Sequence, residues 1–98
     1  MVTIDEELDA AKAAKAAIDT LSTTAPSPLI ATTLRDARNV ATRGMTFLGE
    51  GPLNDARHAV GIELSLLIRA LENAPLAQEK IDNATVAIDV WMVELLQR

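Results

Sequence analysis

The chain has no cysteine, no tyrosine and one histidine, and Phe47 and Trp91 are its only aromatic residues. Without cysteine there is no disulfide, no thiolate metal site and no cysteine nucleophile. With so few rings, a core must be assembled from Leu, Ile, Val and Ala, which suits helices packed closely together. Basic residues are outnumbered, nine Lys and Arg against fourteen Asp and Glu, for a formal charge of −5. Such a balance argues against general nucleic-acid binding, which needs a basic face to displace counterions. The apolar runs are too short and too interrupted for a membrane span. The opening MVTIDEEL is acidic and lacks the basic-then-apolar order of a signal peptide, so a cytoplasmic location is expected.

What is present is helical periodicity. Ninety-eight residues are read as one all-α domain spanning 1–98. Its helices are expected at about 3–22, 27–48, 52–73 and 75–97, packed as an antiparallel bundle of three to four helices. The stretch Leu53 to Asn73 organises this reading. At 100° per residue Leu53, Val60, Leu64, Leu67 and Leu71 fall on one line, Ile68 and three alanines widen it, and Ile62 and Leu66 continue behind. A helix apolar over most of its circumference is expected at the centre.

The first helix has a capping box at Thr3-Ile4-Asp5-Glu6 and a thin stripe of Ile4, Leu8, Ala11, Ala14, Ile18 and Leu21. The second is expected to start with Ser27 as cap and Pro28 in its first turn. Its stripe is Ile30, Leu34, Ala37, Ala41, Met45 and Leu48, and Gly49 is its expected stop. Pro52 and Pro75 open the last two helices. The fourth carries two stripes: Ala77, Ile81, Ala84, Ile88, Met92 and Leu95, with Trp91 at their edge, and on the other side Val86, Val90 and Val93. One helix cannot bury two opposed stripes in a single bundle, so Val86, Val90 and Val93 are the expected contact of a homo-oligomer.

Candidate chemistry is sparse. Asp55 and His58 share a helical side, but two ligands are too few for a metal and no second pair exists. No phosphate-binding loop, dinucleotide fingerprint or nucleophile elbow occurs. Neither an enzyme nor a bound cofactor is expected. Glu63 projects among alanines and leucines, and a structural ion pair with an arginine of the second helix is the expected way to hold it there. Arg35, Arg38, Asn39 and Thr42, with Thr46 beyond, make a polar face on the second helix. Two guanidinium groups beside amide and hydroxyl donors can grip a phosphate or a carboxylate.

At Ala37-Arg38-Asn39-Val40-Ala41-Thr42-Arg43-Gly44-Met45-Thr46-Phe47-Leu48 the chain resembles the helical hairpin of phage anti-CBASS cyclic-nucleotide sponges, over roughly residues 4–48. The resemblance implies an all-helical homo-oligomer that sequesters cyclic nucleotides and so acts against host defence. By position Arg38 takes the family's basic place, Asn39 its threonine place and Gly44 its close-packing glycine. The family's glutamine falls on Thr42 or Arg43, and there is no tyrosine to stack on a base. The resulting expectation is a non-enzymatic homo-oligomeric binding protein for an anionic small ligand such as a cyclic nucleotide. The alternative is a helical interaction or structural module with no small ligand.

Overall fold

A computed structural model describes residues 3–21, 28–44, 51–73 and 78–97. Four α-helices make up the fold: α1 (Ile4–Thr20), α2 (Pro28–Gly44), α3 (Pro52–Asn73) and α4 (Gln78–Leu96). No strand occurs among the described residues. At 1.5 Å per residue the longest helix, α3, covers about 33 Å, close to the 36 Å long axis of the molecule.

The helix starts follow from local chemistry. Thr3 keeps an extended backbone while its hydroxyl accepts the Glu6 N–H at 3.1 Å. Asp5, Glu6 and Glu7 then set negative charge in the first turn of α1. Pro28 is the first residue of α2 and Pro52 the first of α3, where a missing N–H costs nothing. Gly51 precedes Pro52 with φ at 117°, a conformation that a side chain would strain. The expected roles of Ser27, Met45, Thr46, Leu48, Gly49, Pro75 and Ala77 lie outside the described residues.

Each helix packs on two neighbours. The backbone contacts run α1 to α2, α2 to α3, α3 to α4 and α4 back to α1, and the backbones of diagonal pairs stay apart. Thus α3 is one corner of a closed ring, covered by α2 and α4, with α1 across the diagonal. This leaves Ile62 and Leu66 exposed on its outer side, so the apolar surface behind Leu53–Asn73 is not enclosed all round.

The buried positions recur mainly at steps of three and four: 7, 11, 14 and 18 in α1 with Leu21 just beyond it; 30, 34, 37 and 41 in α2; 53, 56, 60, 64 and 67 in α3; 81, 84, 88, 91 and 95 in α4; Ala31, Ile68 and Ala87 widen the buried face beside them. That is the seam of a bundle with coiled-coil packing. Alanines at 11, 14, 37, 41 and 84 let the helices approach closely. Two expected positions differ. Leu71 is only partly buried, since it lies in the last turn of α3. Trp91, expected at an edge, is fully enclosed, and Met92 is only partly buried.

Two partly exposed ion pairs join neighbouring helices. Lys15 Nζ donates to Asp89 at 2.6 Å between α1 and α4, and Arg35 pairs with Glu72 between α2 and α3. The hydrogen bond and charge of Asp89 hold the Lys15 ammonium above its ordinary pKa of 10.5. Pairs this wet add little stability; the apolar seam carries the fold. Leu64, with no accessible surface, sits at its middle. Leu64→Ala is expected to cost about 2–5 kcal/mol, the range for large-to-small changes in a packed core, measured by urea denaturation. A loss below about 0.5 kcal/mol would match a surface site instead.

Candidate functional site

Among the described residues, the one charged side chain buried without accessible surface is Glu7. Its carboxylate takes a two-pronged contact from Arg57, Nε to Oε1 at 2.7 Å and Nη2 to Oε2 at 2.6 Å. Trp91 Nε1 donates to Oε1 at 3.2 Å. A Cβ on Gly44 would stand 2.9 Å from both Arg57 Nε and Glu7 Oε1. One residue from each helix therefore meets at one end of the bundle. The pair also spans the diagonal, joining α1 to α3 where their backbones do not approach. Such a fork matches the planar carboxylate, and each prong is charge-assisted.

Buried carboxylates are often catalytic, but this one has every oxygen engaged and no surface open to a substrate. Its work is structural. It also replaces the expected ion pair of Glu63, which is only partly buried and lies on the α4 side of α3, away from the arginines of α2. Glu7 stands in an acidic first turn, where a carboxylate reads as a helix-terminus charge. Its spacing from Ala11 and Ala14 was the available signal.

Two open grooves flank α3. The first, of about 630 Å³, lies against α4. Ala56, Ala59, Val86, Ala87 and Val90 form its apolar floor, and Asp55, Glu63 and Glu94 give it an acidic rim. Val86, Val90 and Val93 are exposed at 62%, 48% and 54%, so the second stripe of α4 does face outward.

The second groove, of about 520 Å³, lies between α2 and α3. It brings Arg38 and Thr42 from α2 to His58, Ser65 and Arg69 from α3. The other two residues expected at an anion site are elsewhere. Arg35 is engaged by Glu72, and Asn39 is exposed, with its Oδ1 accepting a long 3.5 Å hydrogen bond from Arg38 Nη2. The Thr42 hydroxyl donates to the Arg38 carbonyl at 2.8 Å, so it can only accept from a ligand. His58, Ser65 and Arg69 were not singled out as site residues. Their spacing of 58, 65 and 69 follows one side of α3, but which helix faces that side is a tertiary fact.

No cluster of three metal-ligating side chains occurs among the described residues, and none of their helices is long and apolar enough to cross a membrane. Comparison with known proteins finds no matching family model, no matching curated protein and no matching solved structure.

The Glu7 cluster is open to a direct test. Arg57→Ala strands a buried carboxylate and is expected to cost about 3–5 kcal/mol, seen as an early urea transition in the fluorescence of Trp91. Adding Glu7→Leu in the same chain should restore most of the loss, because the stranded charge is then gone. Single and double variants of equal stability would show that the pair is not what holds this end together.

Proposed function

We propose that this chain is a non-enzymatic, homo-oligomeric helical binding protein whose contact surface is the outer face of α4. The observation that carries the reading is the exposed row Val86, Val90 and Val93 beside an apolar groove. The steps of four and three place the three valines on one line. The bundle is already closed and no buried side-chain polar atom among the described residues lacks a partner, so this row serves no internal need. It is also self-complementary. Antiparallel pairing of two α4 helices centred between residues 89 and 90 sets Val86 of one copy against the partner's Val93, as a two-fold contact requires. Leu96, exposed at the end of the same helix, extends the apolar surface.

Light scattering tests the reading. Wild type is expected to give a particle larger than one 10.5 kDa chain. Val90→Glu puts a charge at the centre of the contact and should reduce the particle to a monomer without loss of helicity. A monomeric wild type at high micromolar concentration would end it.

A second reading, capture of an anionic small ligand, is supported by Arg38 of α2 and Arg69 of α3 lining the same groove. The resemblance to the phage sponges makes cyclic di- and trinucleotides the first ligands to try, with an anti-defence role in the cytoplasm as its consequence. Calorimetric titration should give heat with wild type. Arg38→Ala should lose that heat and keep its melting temperature, since Arg38 supports no buried charge. Silence with every cyclic nucleotide would remove the nucleotide and leave an interaction module.

A further inference from the structure

We infer that the α2–α3 groove is a binding site for a ligand with two parts, an anionic group and a flat or aliphatic apolar body. The inference rests on the second reading for its location and goes beyond it in naming the ligand's chemistry. Arg38 on one wall and His58 and Arg69 on the other supply donors, and no carboxylate lines the groove. In a chain of net charge −5, two arginines on facing walls of one groove stand out. Beside them lie Ile62 and Leu66, two aliphatic side chains left exposed by the bundle. An anion alone would not use them, and an uncharged ligand would not use the guanidinium groups. Arg69 already has an interaction within the chain, but a guanidinium carries five N–H donors and can serve two partners.

The independent observation is Gly61. It lies in the interior of α3, where glycine is less favourable than any residue but proline. Nothing in the packing asks for it. A Cβ there would meet only Thr42 Oγ1, at 3.8 Å, an ordinary contact. Gly44 differs: a Cβ there would collide with the Glu7–Arg57 pair. A helix-interior glycine with free space in front of it, on the wall of a groove, keeps that groove open at the expense of helix stability. Functional sites are where such departures from local preference are expected.

The test uses 1-naphthyl phosphate as probe, with inorganic phosphate and 1-naphthol as its separate halves. In amide NMR spectra of the full chain, 1-naphthyl phosphate is expected to shift residues 38, 58, 61, 62, 66 and 69. It should bind at least about tenfold more tightly than either half. Arg38→Ala should weaken it by about tenfold or more, the loss of a charge-assisted contact. Gly61→Ala should raise the melting temperature by about 4–8 °C, as removal of a helix-interior glycine does in a domain this small. Gly61→Leu, which fills the groove, should abolish binding while the chain stays folded. Equal affinity of Gly61→Leu and wild type, shifts confined to the α3–α4 groove, or phosphate alone binding as tightly as the naphthyl ester would each overturn the inference. Binding of the probe without binding of any cyclic nucleotide would uphold this site and remove only the nucleotide.

Discussion

A single carboxylate sets the terms for one end of this bundle. Glu7 is enclosed where α1 meets its neighbours, and a buried charge is tolerable only when its lone pairs are filled. Arg57 fills two positions and Trp91 a third. Each demand fixes another helix. Arg57 must come from the diagonal helix, because only a long side chain reaches across a gap the backbones leave open. Trp91 must point inward to satisfy its indole N–H. Gly44 must lack a side chain so that α2 can pass the pair. The cluster is a poor source of net stability, since taking two charges out of water offsets most of their attraction. Its value lies in specificity: a shifted register would leave Glu7 or Arg57 without its partner.

That constraint also accounts for where the remaining surface features lie. The seam is filled from end to end by small and aliphatic side chains, with the Glu7 cluster in the same alternation. Most of the exposed apolar residues fall in two sets, with Leu29 of α2 apart from both: Ile62 and Leu66 stand on the α2 side of α3, and Val86, Val90 and Val93 on the outer side of α4. Each set borders a groove with a charged rim, and the two rims have opposite sign.

Much of the fold was legible in the sequence, because leucine and alanine at helical spacing admit few arrangements other than a bundle. Two differences share one cause. In α1 the expected stripe took Leu8 and passed over the buried Glu7, and in α4 it took Met92 and left Trp91 at its edge, where Trp91 is the enclosed residue. Residues 7, 44, 57 and 91 meet in one layer. Hydrophobicity is a sound guide to which face is buried, but in this layer charge balance across helices decides the matter. No single helix carries that information. Glu63 shows the converse: surrounded by apolar residues on its own helix, it lies at the rim of a groove because α4 does not extend over it. The α2–α3 groove was half legible. Arg38 and Thr42 lie on α2, but the α3 residues that share the groove could be recognised only once the two helices were placed together.

The two grooves are separated by the width of one helix, and this bears on whether the two readings of function compete. Along α3, Asp55, Ala59 and Glu63 recur at steps of four toward α4, while His58, Ser65 and Arg69 face α2. The helix therefore carries negative charge on one flank and positive charge on the other. A second copy seated on α4 covers the acidic side and leaves the basic one open. A ligand in the basic groove touches Ile62 and Leu66, not the valines of α4. Self-association and ligand capture thus draw on different side chains, and neither has to displace the other. An anion approaching this acidic molecule is repelled by most of its surface. The proposed binding at the α2–α3 groove would depend on local donors close enough to act within a Debye length of about 8 Å at physiological salt.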